Sequence, residues 1–182
     1  MAEPATTIRL ATADDVDGLA RVSRLAFGAT YPDIVPAGVL DEWIQNAAEP
    51  WQRAFEERGD GTWRPWVAVR GKVVVGYATT SSGKDWWLPP PDGAGELTNL
   101  YLDPAVIGSG VGSALYDHAA ADLRARGFNP FVVWAFRENH RARRFYEAKG
   151  LAIDVPDHDW MLGGVPCPIV RFRADWPPNE SG

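Results

Sequence analysis

Cysteine is almost absent: Cys167 is the single one in 182 residues, which excludes an internal disulfide framework and fits a reducing compartment. No run of 18 apolar residues occurs and no basic, apolar leader opens the chain. The sequence therefore supports neither membrane insertion nor secretion, and a cytoplasmic protein is expected. An excess of positive charge is missing too. The formal net charge of −6 disfavours a general nucleic-acid binder, so neither nucleic acid nor membrane is expected as a partner. Internal repeats and any sign of a second domain are also lacking. What is present is enough for one sizeable core: 46% hydrophobic residues and nine tryptophans suit a single domain.

Residues 1–7 are small and polar and read as a flexible tail. Ile8 to Leu10 suits a short strand, after which Thr12 or Asp14 can cap a helix carrying Val16, Leu19, Val22, Leu25, Ala26 and Phe27, with Gly28 as its stop. A second helix is expected from near Pro36, burying Val39, Leu40, Trp43, Ile44 and Ala47. Pro50 ends it and can open a further helical stretch toward Arg58. Trp66 to Val69 and Lys72 to Thr80 read as a hairpin closed around Arg70-Gly71. The loop from Ser81 to Gly95 carries Trp86-Trp87-Leu88, either a cover for substrate or a flap sealing the core edge.

The most informative stretch runs from Glu96 to Ser113. Leu97, Leu100, Tyr101 and Leu102 make an apolar strand that stops at Asp103-Pro104, where proline removes a backbone donor. Gly108, Gly110 and Gly112 then alternate just before a helical pattern at Val111, Leu115, Ala119 and Leu123. Small residues there let the backbone turn sharply, and several amides together with the helix dipole make a site for phosphate oxygens. A dinucleotide fingerprint fails, because its last glycine position is Ser113 or Leu115, and no Gly-Lys-Ser/Thr triplet exists for a triphosphate loop.

Farther on, Gly127 is a candidate helix stop, Phe131 to Phe136 is a dense β-type run, and Asn139 opens a short helix ending near Gly150. Leu151 to Val155 and Val165 to Phe172 read as closing strands, joined by a segment containing Asp157-His158-Asp159-Trp160. Residues 176–182 form a second expected tail. Strands interleaved with helices imply an α/β architecture, and the hairpins make its sheet mixed.

The segment from Glu96 to Leu151 resembles the GNAT superfamily of N-acetyltransferases. The resemblance rests on the strand ending Leu-Tyr-Leu-Asp-Pro, on Gly110-x-Gly112 at a strand-to-helix junction, and on Asn139-x-x-Ala142-x-x-Phe145-Tyr146-Glu147-x-x-Gly150-Leu151. Ile8-Arg9-Leu10-Ala11-Thr12-x-x-Asp15 is similar to the family's opening, so the likeness covers most of the chain. One departure is plain: Ile107 stands where the family has Gln or Arg. The resemblance implies a single-domain mixed-sheet acetyltransferase fold over residues 8–175, with helices on both faces.

It also implies acetyl-CoA as co-substrate, with no metal, and acetyl transfer to a primary amine of a small molecule. The alternatives are a protein or peptide acceptor and a non-catalytic acyl-CoA sensor. Tyr146 falls at the position of the family's usual acid, although an aromatic on an amphipathic helix is by itself more often core. Glu96 matches the general base of the histone-modifying branch and equally suits a solvated strand start; Asp33, Asp157, His158 and Asp159 are further candidates. Gly108, Ser109, Gly110, Val111, Gly112 and Ser113 are expected to hold phosphate. The backbone of Leu100 and Leu102 and the amide of Asn139 are expected to hold the pantetheine arm, Asn139 also being a natural helix cap. Arg141, Arg143 and Arg144 either meet an outer phosphate or form a solvated helix face. Phe27, Tyr31, Asp33, Trp43, His158, Asp159 and Trp160 are the expected acceptor surroundings. A homodimer is the family's default.

Overall fold

The computed structural model describes residues 5–57, 61–83 and 88–177. Seven strands form one sheet in the order β1-β2-β3-β4-β5-β7-β6. They are β1 (Thr6–Leu10), β2 (Arg64–Arg70), β3 (Val73–Ser82), β4 (Gly95–Leu102), β5 (Phe131–Phe136), β6 (Ala152–Leu162) and β7 (Val165–Ala174). The described α-helices are α1 (Val16–Thr30), α2 (Ala37–Gln45), α3 (Glu49–Glu57), α4 (Val111–Ala125) and α5 (His140–Ala148). Every neighbouring pair is antiparallel except β4 and β5, which are parallel. The mixed sheet with helices on both faces is the expected α/β architecture.

Period-two alternation along β4, offset by one residue at the irregularity around Thr98, divides its side chains between the layers. Leu97, Leu100 and Leu102 join the core against α4, where Leu115, Ala119 and Leu123 are almost completely buried. Tyr101 points the other way, into the clusters formed with α1 and α2. No helix among the described residues is long and apolar enough to cross a membrane.

Several boundaries differ from those read in the sequence. The first strand begins at Thr6, which pairs with Arg70, so part of the expected tail lies in the sheet. At the other end, Trp176 stacks on Phe131 with centroids 5.7 Å apart and donates its amide to Asn129 Oδ1 at 3.0 Å. Gly28 does not stop α1, which continues to Thr30 and is capped by Tyr31. A helical glycine costs only about 1 kcal/mol, and burial of Ala26 and Tyr31 on either side favours continuation. Pro50 lies in the first turn of α3, where its missing N–H costs nothing.

The segment Asp157-His158-Asp159-Trp160 is not a connection but part of β6. One register shift precedes it, between Ile153 and Val155, and a second runs into it, between Val155 and His158, with Pro156 lying within the second. A residue without N–H is tolerated on an edge strand at such an irregularity. The true turn is Gly163-Gly164, with φ of 56° and 80°, a two-residue hairpin connection. Trp86 and Trp87 of the expected flap lie outside the described residues.

Candidate active site

The parallel pair β4/β5 holds at only two positions, Gly95 opposite Phe131 and Glu96 opposite Val132. Beyond them the strands part. On its far side β4 stays paired with β3, but Thr79 faces Asn99 while Thr80 faces Leu97, which leaves Thr98 as an extra bulged residue. A bulge bends its strand, and this one falls where β4 leaves β5. The edge of β4 from Asn99 to Leu102 that faces the gap thus has no strand partner among the described residues.

The gap is a cleft of about 510 Å³ whose walls include Glu96, Leu100, Leu102, Asn139 and Tyr146. The turn after β4 forms one end of it. Asp103 accepts from Ala105 N at 3.0 Å and pairs with Arg21 of α1 at 2.7 Å, and Arg21 also donates to Val74 O at 2.6 Å. Burial works against ionisation of Asp103, but these donors outweigh it and hold its carboxyl below the usual value. The turn is therefore fixed to both α1 and β3.

Gly108 and Gly110 have φ of 83° and 86°, a left-handed conformation that a side chain would strain. Gly112 is needed for a different reason: a Cβ there would lie 3.0 Å from Leu102 Cδ1, so the start of α4 sits directly on the strand. The first backbone bond into the helix runs from Ala114 N to Gly110 O. The amides of Val111, Gly112 and Ser113 have no backbone acceptor among the described residues. Three such donors at the positive end of a fifteen-residue helix are an arrangement that can receive an anion.

Tyr146 is 5% exposed and packs its ring against Tyr116, Phe145 and Phe172. Burial, with smaller contributions from Tyr101 and Tyr116, raises its pKa well above that of an ordinary phenol. Its hydroxyl makes no hydrogen bond to another described residue, so it is a protonated donor on the cleft wall. Glu96 is 3% exposed; the solvated strand start is overruled, because the parallel pairing and the core enclose it. Asn139 Oδ1 accepts from Ala142 N at 3.1 Å, which caps α5 and leaves its Nδ2 without a partner among the described residues.

These features, a parallel pair splayed at a bulge and a glycine turn feeding a helix, lie within the span matched by the acetyltransferase (GNAT) family, residues 35–151. The chain belongs to that family. Among curated relatives, a mycothiol acetyltransferase of Beutenbergia cavernae is 46% identical over 65 residues, covering 35% of this chain and 22% of the relative. A probable N-acetyltransferase of Mycobacterium tuberculosis is 31% identical over 119 residues, covering 62% and 61%. The chain thus spans about a fifth of the first and three fifths of the second. A PaiA N-acetyltransferase of Thermoplasma acidophilum, solved with coenzyme A, superposes with a TM-score of 0.74 at 17% identity, covering 94% of this chain and 99% of that one; this likeness concerns the fold.

Within the GNAT chain, not every residue expected at the cofactor site lines the cleft. Gly108, Gly110, Gly112 and Ser113 do. The Val111 side chain is buried in the core, leaving only its amide available. Ser109 turns away, donating to Val106 O at 2.7 Å and accepting from Arg70 Nη2 at 3.0 Å. Arg141 lines the cleft, whereas Arg143 donates to Arg137 O at 3.1 Å. Ile107, at the start of the loop, is on the wall and 41% exposed.

The expected acceptor residues separate into two groups. Phe27, Tyr31, Trp43 and Trp160 come together: Tyr31 and Tyr101 share a hydroxyl–hydroxyl bond of 2.7 Å, and Trp160 stacks between Trp43 and Phe136. Asp33, His158 and Asp159 do not line the cleft, and Asp157 pairs outside it with Arg137 at 2.9 Å. Asn99 and Phe136 were not singled out from sequence. Asn99 had a signal, since it is an amide in the middle of an apolar strand.

Proposed function

We propose that this GNAT chain transfers an acetyl group from acetyl-CoA to a primary amine of a small molecule. The observation that carries the reading is the unpartnered edge of β4 leading straight to the unpaired amides of Val111, Gly112 and Ser113. An extended arm bearing amides can pair with such an edge as an added strand, and a diphosphate at its end meets the helix terminus. The residues present therefore fit coenzyme A, with Leu100 and Leu102 offering backbone groups, Asn139 offering Nδ2, and Gly108 to Ser113 cradling phosphate.

Acetyl-CoA supplies the acyl group as a thioester. Tyr146 keeps a proton on its phenolic oxygen at neutral pH and can donate it to the departing sulfur. An amine attacks only when neutral, and Glu96, the carboxylate on the same cleft wall, serves as base for that proton, directly or through water. Enclosure of Glu96 and Tyr146 strengthens the electrostatic contacts between these groups and the reacting atoms. A small-molecule acceptor is supported by relatives whose names refer to mycothiol.

The experiment is calorimetric titration with acetyl-CoA, followed by thiol release across a panel of amines and peptides. Saturable binding with release by small amines is expected. Binding without release by any acceptor would replace the enzyme with an acyl-CoA sensor, and release by peptides alone would move the acceptor to proteins.

A further inference from the structure

A second cavity, of about 190 Å³, lies beside the cleft on the α1 face of the sheet. Its walls are five aromatic rings, Phe27, Trp43, Trp51, Trp63 and Tyr77, with Asn99 on the side toward the cleft. Asn99 lines both cavities. It is the one lining residue they share among the described residues, which makes the two spaces neighbours.

Charge is missing from this cavity. No Asp, Glu, Lys, Arg or His is among its described lining residues. Most of its polar groups are already engaged with one another. Ser23 Oγ donates to Leu19 O at 2.9 Å, is 2.8 Å from Tyr77 Oη and receives Trp51 Nε1 at 3.3 Å. Thr79 Oγ1 receives Asn99 Nδ2 at 2.7 Å and is 2.5 Å from Thr98 Oγ1. Asn99 Oδ1 is different: no described residue donates to it. The cavity is thus a box ringed by aromatic side chains, and it includes Asn99, whose Oδ1 receives no donor from a described residue and which also lines the reaction cleft.

We infer that this box is the specificity pocket for the acceptor, and that it takes one uncharged apolar ring joined by a short linker to the reacting primary amine. The inference rests on the acyl-transfer reading of the cleft and adds the class of substrate. Size allows it: the cavity is open on one side, and its volume of about 190 Å³ exceeds the roughly 150 Å³ that holds a benzene ring. Edge and face contacts with the surrounding rings favour a planar apolar guest. A polyhydroxylated ring would lose water and find the hydroxyls of Ser23, Tyr77 and Thr79 already bonded. A second charged group would enter a site with no counter-ion. Asn99 Oδ1 can accept an N–H from the neutral amine and hold its lone pair toward the cleft.

The test uses 2-phenylethylamine as probe, titrated without acetyl-CoA and read by tryptophan fluorescence, with acetyl-CoA affinity measured separately by calorimetry. Ala54 lines the box on α3 and is not part of the cleft. Ala54→Phe is expected to fill the box, weakening phenylethylamine about tenfold or more while leaving acetyl-CoA affinity within about twofold. Trp63→Leu, which removes one wall and adds no bulk, is expected to weaken the probe about fivefold. Glucosamine and spermidine are expected not to displace it. Absence of saturable probe binding, binding unchanged in both variants, or displacement by glucosamine at equal concentration would each overturn the pocket assignment. Failure of acetyl-CoA to bind would overturn the acyl-transfer reading, and it is scored in its own titration.

Discussion

Lys149 Nζ donates to Ser113 Oγ at 2.6 Å and pairs with Asp117 Oδ1 at the same distance, so the end of α5 sets a cation against the first turn of α4. The ammonium also stands 5.0 Å from the centroid of Tyr116. Ser113 lines the cleft one residue beyond Gly112. Ile107 offers no charge on the cleft wall, and Lys149 is a cationic side chain tied to the first turn of α4 through a cleft residue.

Lys149→Met is therefore expected to weaken acetyl-CoA about fivefold, the upper end for a partly exposed ionic contact. The loss should shrink as salt rises, because screening already weakens the wild-type attraction. Calorimetric titrations at low and high ionic strength check both statements. An equal loss at every ionic strength would show that Lys149 acts by packing against Tyr116 and Phe145 alone.

Tyr146→Phe removes the proposed proton donor and keeps the ring that touches Phe145 and Phe172. Turnover is expected to fall about a hundredfold or more, the usual contribution of a positioned acid, with acetyl-CoA affinity almost unchanged. Because burial raises the Tyr146 pKa, the phenol stays protonated past its ordinary value of about 10. The rate profile should accordingly show no alkaline fall due to this residue below about pH 10. Steady-state kinetics against pH, in parallel with calorimetry, measures the two separately.

Much of this site was legible in the chain. Asp103-Pro104 ends a strand for a chemical reason, and Gly108, Gly110 and Gly112 place their demand for positive φ or close approach directly in the sequence. Asn139 was readable as a cap because its side chain bonds locally, to Ala142. What could not be read depends on contacts between distant segments. The bulge at Thr98 exists only in the pairing of β3 with β4, so the opening of the cleft has no local signature. The enclosure of Glu96 comes from β3 and β5 on either side, and a charge after a Gly-rich turn looks solvated without them. The turn at Gly163-Gly164 was visible as a dipeptide between apolar runs, but the acidic residues around Pro156 resembled a connection more strongly.

Gly110→Ala tests the turn itself. Its Cβ would meet no atom within 4 Å, so any effect comes from the backbone at φ 86°. Forcing an alanine into the left-handed region costs about 1–2 kcal/mol, and relief by rotation would turn the amides of Val111 and Gly112 away from the anion. A loss of stability of that size in urea, together with weaker acetyl-CoA binding, is expected. Unaltered cofactor affinity at reduced stability would separate the turn's conformation from its role in binding.

All five tyrosines, Tyr31, Tyr77, Tyr101, Tyr116 and Tyr146, have raised pKa values, with burial as the leading cause in each, and Tyr116 is pushed up to about 12. Burial favours the neutral phenol, whereas the unfolded chain ionises near pH 10. A group raised in this way contributes stability that is fully present below about pH 10 and is lost as pH climbs toward its folded value. Unfolding free energy from urea titrations should therefore show no tyrosine-linked decline up to about pH 9.5 and then fall steeply, since several phenols release protons only on unfolding. The ultraviolet band of phenolate should appear together with loss of near-ultraviolet circular dichroism. Its gradual appearance near pH 10 in a still-folded protein would mean that the aromatic layer around Tyr31, Tyr77 and Tyr101 is open to water.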